Sequence, residues 1–160
     1  MTTTSHQADA NAVRKSITIA APREVAFRVF TEKMTTWWPL ETHHIGKAAA
    51  KEAIVEPRVG GRWFERGVDG TECTWGHVLA WEPPGRLVLS WEISSEWQHD
   101  EKLLTEVEVR FIADGTKSTR VELEHRNLDG FGQKRDEMRA TLDSAGGWTG
   151  LLEGFAKAVA

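Results

Sequence analysis

The chain has 160 residues, with 20 Lys and Arg against 24 Asp and Glu, a formal net charge of -4 at pH 7 and 40% hydrophobic residues. That is the length of one domain, large enough to bury a core without staples. The acidic balance argues against a nucleic-acid or anionic-membrane partner. The single Cys73 leaves no internal disulfide, and no apolar run approaches the roughly 20 residues that span a bilayer, so a cytoplasmic protein without membrane insertion is expected.

Residues 1–12 are polar, Thr-rich and patternless, and read as a flexible N-terminal tail before a domain over residues 13–160. Val13 to Ala20 alternates, with Val13, Lys15, Ile17 and Ile19 on one side, which predicts a strand. Pro22 and Glu24 then open a helix carrying Val25, Phe27, Val29 and Phe30, because Pro suits a helix start and an acid suits the positive end of its dipole. Thr35 to Trp38 is a second short helix or turn, stopped by Pro39. His43-His44 follows on a loop. Adjacent loop histidines are poor joint ligands, and nothing stands beside them at zinc-like spacing, so no metal site is assigned.

From Ala53 onward the chain reads as an antiparallel meander. Glu52 to Glu56 is a short strand, Pro57 to Gly61 a corner, Arg62 to Arg66 the next strand, and Gly67-Val68-Asp69-Gly70 a hairpin turn. Thr71 to Glu82 places Cys73, Trp75, His77, Leu79 and Trp81 on one face, with Gly76 and Ala80 on the other, unless a bulge near Gly76 shifts the phase. Pro83-Pro84-Gly85 turns the chain, and Arg86 to Ile93 aligns Leu87, Leu89, Trp91 and Ile93. Ser94 to Lys102 is a polar loop. Leu103 to Ala113 sets Thr105, Val107, Val109 and Phe111 against a wet face of Glu106, Glu108 and Arg110. Thr119 to Arg126 sets Val121, Leu123 and His125 inward, against Arg120, Glu122 and Glu124.

The last stretch, Arg135 to Val159, organises the rest. Met138, Leu142, Ala145, Trp148 or Thr149, Leu152, Phe155 and Val159 recur three or four residues apart and form one helical stripe, which needs a large apolar partner. A curved antiparallel sheet laid around that helix supplies one. Gly146-Gly147 interrupts the pattern. Each Gly costs about 1 kcal/mol against Ala in a helix, so the pair marks either a break between two helices or a place of close approach.

Eight Trp and no Tyr stand in the composition. Trp combines a large apolar area with one N–H that must find an acceptor when buried, a combination common in cavity walls and in cores. The usual catalytic signatures are missing: there is no G-x-S-x-G, H-E-x-x-H, phosphate loop or G-x-G-x-x-G. Cys73 and His77 lie about 13 Å apart along a strand at roughly 3.3 Å per residue, too far for a catalytic pair. No cofactor is therefore assigned.

The order of these features resembles a known family. It runs through Glu56-Pro57-Arg58-Val59-Gly60-Gly61-Arg62-Trp63, Gly76-His77-Val78, Glu82-Pro83-Pro84, Leu87-Val88, Thr119-Arg120-Val121 with His125, and Gly147-Trp148. From Val13 to the C-terminus it looks like the family of the activator of heat-shock-protein ATPase, within the START-like or SRPBCC superfamily. The resemblance implies an α+β helix-grip fold, in which a curved antiparallel sheet wraps a long C-terminal helix and encloses a mostly apolar cavity. It also implies a hydrophobic small molecule, such as a lipid or polyketide, as ligand. A minority of the superfamily are cyclases or aromatases, usually with a pocket Tyr that this chain does not have. The family's eukaryotic namesakes stimulate a chaperone ATPase, but they carry an additional N-terminal domain not found in these residues.

The expected function is thus a hydrophobic or aromatic small molecule bound between the C-terminal helix and the sheet. A cyclase-like enzyme acting in that cavity and a chaperone-interacting module are the alternatives, and a homodimer contact is left open. Trp63, Trp75, Trp91 and Trp148 are the candidate aromatic walls, Val107, Val109, Phe111, Leu123 and Leu152 the apolar lining, and His125 the orienting polar group. Phe27, Phe30, Trp37 and Trp38 are the candidate lid, since short helices between the first two strands can move without opening the sheet.

Overall fold

The computed structural model describes residues 11–159. Strands β1 (Val13–Ile19), β2 (Ala50–Val55), β3 (Arg62–Gly67), β4 (Glu72–Glu82), β5 (Arg86–Trp91), β6 (Thr105–Ala113) and β7 (Thr119–Arg126) form one antiparallel sheet in the order β1-β7-β6-β5-β4-β3-β2. Helix α1 (Arg23–Glu32) and a 3₁₀ turn (Met34–Thr36) separate β1 from β2. A 3₁₀ stretch (Leu128–Lys134), α2 (Arg135–Asp143) and α3 (Trp148–Val159) follow β7. This is the helix-grip arrangement that the sequence predicts, with the curled sheet holding a bent C-terminal helix. The expected tail lies outside the described residues except for its end, where Arg139 Nε donates to the Asn11 carbonyl at 3.0 Å and Ala12 is buried.

Helix α1 starts where Pro22 fixes φ at -62° and offers its carbonyl to the N–H groups of Val25 and Ala26. Its apolar side buries Phe27 and Phe30 against Phe111 of β6, with ring centroids 5.2 and 5.7 Å apart. Phe30 also meets Phe155 of α3 at 5.2 Å. Complete burial of such a side chain is worth about 1.5–3 kcal/mol. This cluster joins both helices to the inner residues of β5, β6 and β7, among them Leu87, Val109 and Val121.

Two departures from simple alternation matter for the site. In β4, Trp63 of β3 pairs with Gly76 and Phe64 with Thr74, so Trp75 is an extra residue; Val78 and Ala80 pair with Leu89 and Val88, so Leu79 is another. These bulges break the single face expected for β4. Trp75 and Val78 enter the core, Leu79 is 45% exposed, and His77 is half exposed with Nδ1 2.8 Å from a Glu92 oxygen. Gly76 is required here, because a Cβ would run into the Ser90 carbonyl. In β6, the supposedly wet Glu108 is 2% exposed, covered by Arg86, Arg110 and Arg126 on the outer face. Burial raises its carboxyl pKa, but hydrogen bonds from Arg126 and Arg86 outweigh that and hold it below the usual range.

The C-terminal stripe is real but broken. Met138 and Leu142 of α2 are buried, as are Trp148, Leu151, Leu152 and Phe155 of α3. Between the helices Ser144 is extended, with φ -81° and ψ 175°, so Ala145 swings out to solvent. A Cβ on Gly147 would strike the carbonyls of Thr141 and Leu142, so the reversal needs glycine.

Candidate functional site

The break between α2 and α3 opens a cleft of about 440 Å³ against β4, β5 and the loop before β2. Its apolar wall consists of the indoles of Trp38, Trp75, Trp91 and Trp148 with Ile45, Ile93, Leu142 and Leu151. Trp97 lines its edge, and Thr42, His43, His44, Thr141 and Ser144 supply polar groups. No Asp, Glu, Lys or Arg is among the described residues that line it. The rings form one continuous cluster: Trp38 lies 5.0 Å from Trp75 and 6.0 Å from Trp148, and Trp91 lies 5.9 Å from Trp148.

Each wall indole spends its N–H inside the protein. Trp38 donates to the His43 carbonyl at 3.0 Å, Trp75 to Glu65 Oε1 at 2.8 Å, Trp91 to the Ile93 carbonyl at 3.2 Å and Trp148 to His125 Nδ1 at 3.1 Å. A buried indole N–H needs such a partner, and these bonds lock the rings in place. What the wall offers to a ligand is therefore ring surface, while hydrogen bonding is left to the hydroxyls and to the His44 imidazole.

The loop that bears Thr42, His43 and His44 is held at two points. Glu65, 1% exposed on β3, accepts the N–H of Ile45 at 2.7 Å and of Gly46 at 3.1 Å in addition to the Trp75 indole. Across the cleft, His43 Nε2 donates to the Gly146 carbonyl at 2.7 Å, while its Nδ1 takes the Thr42 hydroxyl at 2.7 Å. The glycine break thus gives the loop a latch point. On a third side, Trp97 is 44% exposed with φ at 61°, a left-handed conformation that is costly for a bulky side chain. Its backbone N–H donates to the Ser94 carbonyl at 2.9 Å.

Of the side chains proposed from sequence, Trp38, Trp75, Trp91 and Trp148 meet at this cleft. The others lie elsewhere. Trp63 is fully buried behind the wall, 5.5 Å from Trp75 and 5.8 Å from Trp91, with its N–H on Met34 Sδ. Val107, Val109, Phe111, Leu123 and Leu152 fill the space between sheet and helices, each at most 2% exposed. The helix sits too tightly on those strands to leave an opening there. Phe27, Phe30 and Trp37 do not line the cleft: α1 buries its apolar side against β6 and α3, with Trp37 5.4 Å from Phe155.

His125 does point inward, but it is closed off. Since Nδ1 accepts from Trp148, the neutral ring carries its proton on Nε2, which donates to Thr105 Oγ1 at 2.9 Å; that hydroxyl donates in turn to the Trp91 carbonyl at 2.8 Å. Burial pushes the His125 pKa down to about 3, so the ring is neutral at physiological pH. It braces two wall tryptophans from behind and is not among the residues facing the cleft.

Sequence reasoning passed over Trp97, the His43-His44 pair as polar lining, and Leu151. A lone large aromatic in the polar loop from Ser94 to Lys102 was an available signal. The spacing of the two histidines speaks only to metal ligation, not to cavity lining. Leu151 lies three residues after Trp148 and four before Phe155, a helical spacing that was available in the sequence.

The comparisons with known proteins agree with this architecture. The chain is similar to the anthrahydroquino-gamma-pyrone synthase Txn09 complexed with SUM, at 39% identity over 95% of this chain and 98% of that one, with a TM-score of 0.66. It is also similar to the self-sacrificing resistance protein CalC from Micromonospora echinospora, at 33% identity over 92% and 93% of the two chains and a TM-score of 0.70. An HSP90 activator from Plasmodium falciparum shares the fold at 22% identity over 72% of each chain, with a TM-score of 0.51. No curated protein matches. The family described as activator of Hsp90 ATPase homolog 1-like protein matches residues 20–160, and the chain belongs to that family.

Proposed function

We propose that the cleft binds an uncharged, fused-ring aromatic molecule, with its rings against the four indoles and a hydroxyl or carbonyl edge toward Thr42, His43, His44 and Ser144. The observation that carries this reading is the wall itself: four indoles with their N–H groups already satisfied, and no charged side chain among the described residues that line the cleft. Aromatic pairs are worth about 0.5–1.5 kcal/mol beyond area burial, which favours ring ligands over aliphatic ones. A fatty-acid carboxylate would lose its hydration there without gaining a cation. The volume lies within the roughly 300–1,000 Å³ typical of small-molecule sites. The 39% identical relative is named for an anthrahydroquino-gamma-pyrone, which supports the same ligand class. That it is a synthase also supports a second reading, in which the cleft alters what it binds. The free thiol of Cys73 fits the cytoplasmic setting expected from the sequence.

The test is a titration of intrinsic Trp fluorescence with hydroxyanthraquinones, flavonoids, sterols and fatty acids. Saturable quenching by the aromatic classes, weakened in Trp91→Leu, is expected. A preference for fatty acids, or no saturable change with any of the four in folded protein, would refute the reading.

A further inference from the structure

Three histidines lie in or directly behind the cleft, and their hydrogen bonds separate them. His125 and His43 each have both ring nitrogens engaged. His44 does not. Its Nδ1 lies 3.0 Å from the Gly46 carbonyl, and a carbonyl only accepts, so Nδ1 carries the hydrogen. In the neutral ring Nε2 is then a lone-pair acceptor, and it makes no hydrogen bond to another described residue. The side chain is part of the cleft lining and partly exposed.

Behind the same Nδ1, at 3.9 Å, lies the buried carboxylate of Glu65. That carboxylate is fixed by the Ile45 and Gly46 N–H groups and the Trp75 indole, so it cannot swing away. An imidazole with one nitrogen anchored, the other open and a fixed carboxylate behind it is arranged for proton transfer. The other titratable group at this point is Cys73, whose Sγ would lie 3.0 Å from a Cβ at Gly46; burial first, then Glu65 and Asp69, push its thiol up, so it stays protonated and does not compete.

We propose that His44 is the proton acceptor of the cleft, taking the proton of a hydroxyl on the bound aromatic molecule. The inference rests on the ligand reading above and adds chemistry to it. The O–H bond of the ligand breaks, its electron pair stays on oxygen as phenolate, and the proton forms an N–H bond at His44 Nε2. The imidazolium so formed lies between the phenolate and the Glu65 carboxylate. The product is an electron-rich ring with a nucleophilic oxygen, held out of bulk water.

The probe is 2-hydroxyanthraquinone, whose phenol and phenolate forms absorb at different visible wavelengths. Spectra are taken with saturating protein, about one pH unit below the midpoint of the free probe, where roughly a tenth of it is phenolate. Binding is followed in parallel by Trp quenching. Burial alone pushes a phenol toward its neutral form. Wild type is therefore expected to show mostly phenolate, and His44→Gln, which keeps hydrogen-bonding capacity but cannot take a proton, less phenolate than the free probe. Saturable quenching with a phenol spectrum in wild type overturns the proton transfer and leaves the binding site standing. So does a phenolate spectrum that survives in His44→Gln. Absence of saturable quenching overturns the ligand reading and this inference together.

Discussion

Acidification from about pH 7 to about pH 5 should remove roughly 2 kcal/mol of stability through His125 alone. Burial holds the ring near a pKa of about 3, against an ordinary value of 6.5. Below about 6.5 the unfolded chain takes up a proton that the native ring refuses, so the unfolded state binds more protons and stability falls as pH falls. The slope is about 1.4 kcal/mol per pH unit from about pH 6.5 down to about pH 3, which gives the roughly 2 kcal/mol by pH 5. The comparison is with His125→Asn, whose amide keeps an acceptor for the Trp148 N–H but does not titrate. At about pH 7 the variant should be less stable by roughly 1–3 kcal/mol, from lost packing and hydrogen bonding. Urea unfolding followed by far-UV circular dichroism at both pH values measures the two losses. Glu92 and Glu108 also make the protein acid-sensitive. Burial raises each carboxyl, but hydrogen bonds to Ser90, His77 and His99, or to Arg126 and Arg86, outweigh it and hold both low. Their share is common to both proteins and cancels in the difference. Equal losses in wild type and His125→Asn would refute the buried neutral histidine.

Leu152→Ala should cost about 2–5 kcal/mol in denaturant unfolding without changing affinity for an aromatic ligand, because the side chain is packed core and away from the cleft. Near-neutral stability with altered affinity would place it on an open cavity instead. Gly147→Ala should cost about 1–3 kcal/mol and disturb ligand binding, since the methyl group meets the Thr141 and Leu142 carbonyls beside the His43 latch; an unchanged melting temperature argues against the close approach. Trp97→Gly should leave stability level or raise it by up to about 1 kcal/mol, by relieving the left-handed backbone, while weakening ligand binding by about fivefold. Destabilisation with unchanged affinity would mean that Trp97 is merely structural.

The fold was legible because its signals are local and repeated. Period-two alternation in β1, β5, β6 and β7 marks an inner face directly, and Pro22 and Asp69-Gly70 punctuate the elements with residues whose backbone chemistry is specific. His125 was placed inward by the same alternation, correctly. What alternation could not say is whether an inward group faces a neighbour or an opening. Burial of Val107, Val109, Phe111, Leu123 and Leu152 against α3 is a matter of interlayer distance, and no pattern along one strand carries that information. Strand phase in β4 was likewise beyond the sequence, since each bulge arises from the pairing of two strands.

By itself, then, the amino-acid order marked the strands and helices of an antiparallel sheet around the last helix, the apolar stripe of that helix and the anomaly at Gly146-Gly147. Tertiary structure alone decided that the anomaly is a helix break that opens a cleft, and that five of the eight tryptophans line it. It also decided that His44 retains an open nitrogen while His43 and His125 do not. The physical reason is the range of the forces. Periodicity and turn chemistry act over a few residues of chain, whereas a cleft and the hydrogen-bond partner of a ring nitrogen depend on groups as far apart in sequence as His43 and Gly146.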